Sequence, residues 1–203
     1  RFAALVNMRN HSPVLARLGE SLFGLAARRS LPSFQRRHFF KHGPRGATRA
    51  EVLGAQKPVV LFVDTFNGFF ESPNAQAAFR VLQAAGYTAH VAAKQSGSGH
   101  LCCGRTYLAT GQVAKAKDEA IRLIEALHPY VERGVPVVGL EPSCLFTLRD
   151  EFLALGLGEP ARKTAENALL FEEFLAREKK AGRLSLSLKA LEQKTALLHG
   201  HCH

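Results

Sequence analysis

The sequence predicts an open α/β fold: a mostly parallel, four-stranded, Rossmann-like sheet with helices on both faces, preceded by a basic helical arm. Short, continuous apolar runs bounded by turn residues are typical of strands that are buried on both faces. Segments with apolar residues at helical spacing lie between these runs. Strands that alternate with helices favour a parallel sheet covered by helices. We therefore divide the chain into an arm, residues 1–56, and an α/β domain, residues 57–203.

The arm is predicted to hold one amphipathic helix. Ser12-Pro13 is a favourable start, because the hydroxyl caps a helix and proline fits its first turn. Apolar residues then recur at helical spacing over 13–28, namely Val14, Leu15, Leu18, Leu22 and Leu25. Residues 30–46 are basic and aromatic without a clear period, and we predict an irregular connector that lies on another domain. A short helix is predicted at 48–54.

The first β-α-β unit begins after Pro58. Residues 59–63 are apolar and mostly β-branched, which predicts a strand buried on both faces. Ser72-Pro73 starts a helix that Gly86 ends. Residues 87–93 form the second predicted strand, and the crossover between the two strands should be right-handed.

The same alternation continues in the second half of the chain. The predicted elements are, in order, a helix at 107–133 with an early break at Gly111, a strand at 135–140, helices at 145–155 and 165–180, an edge piece at 184–188 and a fourth strand at 195–199. This order completes the predicted four-stranded sheet.

Composition and charge exclude several classes of function. No apolar run reaches the roughly 18 residues that a membrane span needs. Four cysteines without a secretory signal indicate a reducing, cytoplasmic compartment in which disulfides are the least expected outcome.

The net charge of +10 is concentrated in the first quarter of the chain, and no nucleic-acid motif accompanies it, so we expect no nucleic-acid partner. The basic arm has two remaining candidate partners, an anionic surface at the periphery of the inner membrane or a neighbouring domain.

All four cysteines follow predicted strands. Cys102 and Cys103 follow the second strand, Cys144 follows the third, and Cys202 follows the fourth. The carboxyl ends of parallel strands meet at one edge of a sheet, where ligands bind in such folds. Thiolates gathered there would repel each other unless a metal neutralised them. The sequence thus predicts a metal or cluster site with these four cysteines as ligands.

Other interpretations of the cysteines stay open on the residues alone. A single cysteine after a strand is usually a buried, inert residue. Zinc is disfavoured because the usual C-x-x-C spacing is absent, although His201 and His203 flank Cys202. A catalytic thiol would need its pKa lowered by a neighbouring cation such as Arg105 or His100.

Three other polar residues near the strands have structural explanations. Asp64 follows the first strand and is predicted to be a turn or capping residue. Glu141, close to Cys144, is a candidate ligand or a cap of the helix that begins after it, and the cap is favoured. His90 lies in the middle of a predicted strand and is expected to be structural.

Three stretches together resemble the cysteine-rich CCG domain: Cys102-Cys103-Gly104, Glu141-Pro142-Ser143-Cys144 and His199-Gly200-His201-Cys202-His203. This domain occurs in heterodisulfide reductase subunits, in the iron–sulfur subunits of glycolate oxidase and anaerobic glycerol-3-phosphate dehydrogenase, and in lactate-utilisation proteins. Over residues 57–203 the chain is most similar to the C-terminal region of FAD-linked D-lactate-dehydrogenase-like oxidoreductases.

The resemblance implies an iron–sulfur cluster, of the 4Fe-4S type, that relays electrons from a flavin to an acceptor. The parent enzyme would be a flavin-linked 2-hydroxy-acid dehydrogenase of the D-lactate or glycolate type. Its FAD and a ferredoxin-like domain would lie in another part of the protein or complex. By position, Cys102, Cys103 and Cys144 match the first CCG repeat, and Cys202 opens a second repeat at 199–203. The alternatives are a non-redox docking module with vestigial cysteines, or a zinc or thiol site on the same scaffold.

The sequence departs from the family pattern at two positions. Residues 61–64, near the end of the first strand, contain no thiol, and Glu141 stands where the family has a cysteine. We expect a degenerate first repeat and a cluster site that is incomplete in this chain. The chain begins without methionine and ends soon after the second repeat opens, so we expect a piece of a longer FAD-linked oxidoreductase, without a complete active site of its own.

Overall fold

In the part of the chain that the structure describes, four strands form one parallel sheet. In this computed structural model the described residues are 2–93 and 99–190, with Glu192, Thr195 and Leu197. The strands are β1 (Pro58–Phe62), β2 (Thr88–Val91), β3 (Val137–Gly139) and β4 (Ala168–Leu170). Their spatial order is β2-β1-β3-β4. The predicted α/β class with a parallel sheet is confirmed.

Helices precede, separate and follow the strands. They are α1 (Phe2–His11), α2 (Pro13–Phe23), α3 (Phe39–His42), α4 (Arg49–Leu53), α5 (Thr65–Phe69), α6 (Ser72–Ala84), α7 (Arg105–Ala109), α8 (Val113–Val131), α9 (Pro142–Arg149), α10 (Glu151–Ala154), α11 (Gly158–Asn167) and α12 (Phe171–Lys180).

The sheet is buried on both faces, as the continuous apolar strands predict. Successive side chains of a strand point to opposite faces. Val60 and Phe62 accordingly pack in a core with residues of α8, α9 and α11. Val59 and Leu61 pack in a second core with residues of α6 and α12. The prediction of helices on both faces is confirmed.

The fourth strand lies elsewhere in the sequence than predicted. It is β4, within the segment 165–180 that the sequence predicts as one helix. The apolar run Leu169-Leu170-Phe171 continues at helical spacing into Phe174 and Leu175, so periodicity alone does not separate a helix from a short buried strand. Of residues 195–199, Thr195 and Leu197 lie in no strand, and the other three lie outside the described residues.

Glycines set the ends of two helices. Gly24 adopts the left-handed conformation, with φ of 68°, and ends α2 five residues before the predicted boundary at 28. Gly111 has φ of 74° and separates α7 from α8, as the sequence indicates. Residues other than glycine rarely adopt these angles.

The predicted edge piece at 184–188 forms no strand, although Leu184 and Leu186 pack against the core.

The arm is tied together by two asparagines of α1. Asn7 donates from Nδ2 to the carbonyl of Phe34 at 2.8 Å and accepts from the Phe34 N–H at 2.9 Å. Asn10 makes the same pair of bonds with Leu31, at 2.7 and 2.9 Å. These four bonds hold the extended segment 31–34 against α1.

The connector at 30–46 packs on the α/β domain itself. Phe39 is 3% exposed and belongs to the core on the α6 side of the sheet. Gly46 forms an antiparallel bridge with His90, and the Ala47 N–H donates to the Ala89 carbonyl at 2.8 Å. The end of the arm thus covers the edge strand β2, which protects its free backbone groups.

The apolar face of α2 is exposed. Val14, Leu18, Leu22 and Phe23 are between 51 and 75% exposed. Among the described residues, no helix is both long and apolar enough to cross a membrane.

A buried carboxylate joins α12 to the start of β2. Glu178 is 6% exposed, accepts from the Tyr87 hydroxyl at 2.6 Å, and accepts two bonds from Arg183 at 2.6 and 2.8 Å. Hydrogen bonding lowers the pKa of Glu178 below its ordinary 4.5, although burial acts in the opposite direction. The largest contribution comes from Arg183 and a smaller one from Tyr87.

Glu178→Gln is therefore expected to lower the free energy of unfolding by about 1–2 kcal/mol at neutral pH. Because the pKa of Glu178 is lower in the folded than in the unfolded state, the ionised carboxylate stabilises the fold above pH 4.5. That stabilisation is lost as the pH falls through the pKa of the folded state. Urea denaturation at several pH values should show the difference shrinking toward acid. The exposed Glu172→Gln is the control, with a change within about 0.5 kcal/mol. An equal loss for Glu178→Gln at neutral and at acid pH would contradict the ionic explanation.

Candidate metal centre

The loops that follow β2 and β3 meet beside the carboxyl end of β1. β2 and β3 pair with opposite sides of β1, so the chain changes direction across the sheet at this point. Ligands bind at such switch points in open α/β sheets. Cys102 and Cys103 lie in the loop before α7, and Cys144 lies in the first turn of α9. The structure thus brings together three of the four cysteines that the sequence places at this edge.

The Cys103 thiol is in hydrogen-bonding contact with both other thiols, those of Cys102 and Cys144. Cys103 and Cys144 are 2 and 7% exposed, and they share a core with Leu101 and Leu145. Cys102 is more exposed, and all three are free thiols. The three sulfurs form one cluster that is closed on the protein side and partly open at Cys102.

Two consecutive backbone N–H groups point to the sulfurs. Gly104 donates to Cys102 Sγ at 3.4 Å, and Arg105 donates to the Cys103 sulfur. Gly104 has φ of 78°, and a Cβ there would lie 3.0 Å from the Ala116 carbonyl oxygen. A glycine is needed for this turn. The backbone donors were not predicted, and the glycine after the cysteine pair is their one signal in the sequence.

The environment keeps the thiols of Cys102 and Cys103 protonated when no metal is bound. The hydrogen bond with Cys103, and then burial, raise the pKa of Cys102. For Cys103, the bond with Cys102 lowers the pKa, but the contact with Cys144 together with burial raises it above the ordinary value. The Arg105 guanidinium pairs with Glu151. A nucleophilic cysteine needs a lowered pKa, so this environment disfavours a catalytic thiol.

The donor chemistry of the cluster fits a thiolate-bound metal centre. Soft thiolates are the ligands of iron–sulfur and zinc sites, and binding would release their protons. Among the described residues, no three His, Cys, Asp or Glu side chains already have the arrangement that holds a metal ion. Cys202, with His201 and His203, lies outside the described residues. The described residues therefore supply three thiols toward a site, and the ligand role of all four cysteines stays a prediction.

The other polar residues predicted near the strands are mostly structural. Asp64 Oδ1 accepts from the N–H groups of Phe66 and Asn67 at 2.8 and 3.0 Å, which confirms it as a cap, of α5. His90 stacks on Tyr130, and its Nδ1 lies 2.8 Å from the Ala47 carbonyl oxygen, so its structural role is confirmed. Glu141 occupies the N-cap position of α9, but its side chain makes no capping bond there, and that prediction was wrong.

His100 connects the cysteine loop to the aromatic residues of the arm. Its ring stacks on Phe40 with centroids 4.9 Å apart and meets the edge of Phe69 at 5.0 Å. Its Nε2 lies 3.2 Å from Thr65 Oγ1. A Cβ at Gly68 would clash with the Phe40 ring, so a glycine is required beneath that ring. The sequence did not predict that connector aromatics reach this edge of the sheet.

Comparison with known proteins gives a relative that matches the whole chain. The C subunit of anaerobic glycerol-3-phosphate dehydrogenase from Escherichia coli K12, and the protein of the same name from strain O157:H7, are each 26% identical to the chain over 203 residues. The match covers 100% of this chain and 49% of either relative, so the chain spans about half the length of the curated relatives it matches.

No family model matches the chain, and no solved structure matches it. The relatives belong to one of the protein groups named above for the CCG domain. The resemblance to that domain itself rests on the cysteine motifs alone.

Proposed function

We propose that this chain is an iron–sulfur electron-transfer domain of a dehydrogenase. The observation that carries the proposal is the convergence of three thiols at the strand-end edge, with two backbone N–H groups directed at their sulfurs. The similarity of the whole chain to about half of one subunit of a dehydrogenase supports an oxidoreductase role. That role explains why the chain gathers soft, oxidisable ligands at the position where α/β sheets bind ligands.

Cys102, Cys103 and Cys144 would hold a 4Fe-4S cluster with Cys202 as the fourth ligand, so that in this proposal four thiolates of the chain suffice despite the degenerate first repeat. Such a cluster, when bound, accepts and releases one electron at a time. The thiols give up their protons on binding, and the N–H groups of Gly104 and Arg105 then stabilise the negative charge on sulfur. Hydrogen bonds to cluster sulfurs raise the reduction potential, so these two donors would tune it.

The donor of electrons would be a flavin, an FAD bound by another domain or subunit, and a ferredoxin-like domain would be a second partner. The motif resemblance favours a 2-hydroxy acid of the D-lactate or glycolate type as the substrate of the whole enzyme. The name of the relatives favours glycerol 3-phosphate instead. Both substrates would be oxidised at the flavin, so the role of this chain is the same in either case.

A cytoplasmic location with the arm at the periphery of the inner membrane belongs to the same proposal. Its support is the exposed apolar face of α2 together with the basic charge of the arm. A helix of this kind can lie in a membrane interface without crossing the bilayer.

Electron transfer is tested by mixing the anaerobically iron-reconstituted chain with photoreduced FAD in a stopped-flow instrument. We expect the visible charge-transfer absorption to bleach and a paramagnetic signal to appear in samples frozen after mixing. The zinc-loaded chain is the control and should show neither change, since zinc has no redox chemistry. A reconstituted centre that FAD, and also dithionite, leave oxidised would exclude the proposed relay.

A further inference from the structure

An open groove lies between the arm and Phe69 of α5. Its volume is about 580 Å³, which lies in the range of small-molecule sites. The side chains that matter for its chemistry are Val6, Phe34, Arg36, His38, Lys41 and Phe69.

The apolar walls of the groove are held in place by their neighbours. Phe34 packs on Phe70 with ring centroids 4.4 Å apart, and Asn7 binds both backbone groups of Phe34. Phe69 packs against His38 at 5.0 Å and against His100 at 5.0 Å. The aromatic walls are therefore preformed, and their side chains lose little conformational entropy when a ligand binds.

The rim of the groove carries positive charge that nothing nearby cancels. Arg36 and Lys41 are exposed, and within the described residues neither has an ion-pair partner. The first 50 residues contain nine arginines and one lysine but a single acid, Glu20. Glu20 accepts from the Ala27 N–H at 3.1 Å.

The neighbouring His38 does not add to this positive charge. Burial, and then the charges of His42 and Lys41, lower the pKa of His38. Its imidazole is consequently neutral at pH 7, and the cationic contacts of a ligand would come from Arg36 and Lys41.

We propose that this groove binds a small organic anion, whose flat apolar body lies between Phe34 and Phe69 and whose carboxylate or phosphate meets Arg36 and Lys41. Arginine and lysine both bind these groups through charge-assisted hydrogen bonds. Such a site is separate from the cysteine cluster and does not depend on a bound metal. Its occupant would touch Phe69, whose ring also contacts His100 in the loop that leads to Cys102.

The proposal is tested on the whole metal-free chain with three probes that share one ring system. These are 2-naphthoate, 2-naphthyl phosphate and the neutral 2-naphthylmethanol, titrated by calorimetry and followed by amide chemical shifts. We expect at least one anion to bind about 10-fold more tightly than the alcohol, and to shift the amides of Phe34 and Phe69. The tighter of the two anions identifies the preferred head group. Equal binding of the alcohol, or no binding of either anion at millimolar concentration, overturns the proposal.

A pair of double variants locates the site. Arg36→Gln with Lys41→Gln should weaken anion binding about 10-fold or more. Arg28→Gln with Arg29→Gln removes the same charge from the same arm, at exposed residues away from the groove, and should change the affinity by less than about 3-fold. Equal losses in the two double variants, or amide shifts confined to α2, would show general attraction to the arm and overturn the groove as the site.

Discussion

Replacing Cys103 by serine is expected to abolish iron uptake by the anaerobically reconstituted chain. Cys103 contacts both other thiols of the cluster, is 2% exposed and receives the Arg105 N–H. A serine hydroxyl is a poor ligand for iron, whereas thiolates are the ligands that iron–sulfur clusters select. Iron, acid-labile sulfide and visible absorption should all fall to background. Serine is close to cysteine in size, so the far-ultraviolet circular dichroism should be retained.

Thr106→Ala provides the matched control for this change. Thr106 is exposed, lies three residues after Cys103 and carries no sulfur. It should reconstitute like the unmodified chain. A folded Cys103→Ser chain with undiminished iron and sulfide would exclude Cys103 as a ligand.

Replacing Gly104 by alanine is expected to lower the free energy of unfolding by about 2–4 kcal/mol and to reduce iron uptake with it. Alanine is strained at φ of 78°, and its Cβ would lie 3.0 Å from the Ala116 carbonyl oxygen and 3.2 Å from the Ala116 Cα. Because α8 is fixed in the core by other residues, the cysteine loop is the part that has to move. That movement would displace the N–H donor of residue 104 from the Cys102 sulfur.

Gly111→Ala separates the two causes of this loss. Gly111 has φ of 74°, and a Cβ there would have no heavy atom within 4 Å. Only the backbone strain applies at this position, so we expect a loss of about 1–2 kcal/mol and normal iron uptake. Urea denaturation of the metal-free variants measures both losses. If the two variants lose the same stability, the close approach to α8 has no energetic role.

The sequence was sufficient for the parts of the fold that depend on long, uninterrupted patterns. The apolar run at 59–63 predicted β1, and Ser12-Pro13 predicted the start of α2. Three cysteines follow strands β2 and β3, and parallel pairing alone brings such positions to one edge. β4 was missed because three residues are too few to distinguish a strand from a helical face.

Other features depend on contacts between segments that are distant in the sequence. No local pattern shows that Asn7 would bind the backbone of Phe34, or that Phe40 would reach His100. The N–H donors to the sulfurs are backbone groups, and any residue type could supply them. For Glu141, the residue type and position fit a cap, but the rotamer in the structure does not use them.

The iron content of the anaerobically reconstituted, unmodified chain decides whether the three clustered thiols belong to an iron–sulfur centre. The proposed function predicts about four iron atoms and a similar amount of sulfide per chain, with a paramagnetic signal on one-electron reduction. A chain that takes up about one zinc atom and no iron, or that binds neither metal while its thiols remain reduced, would contradict it.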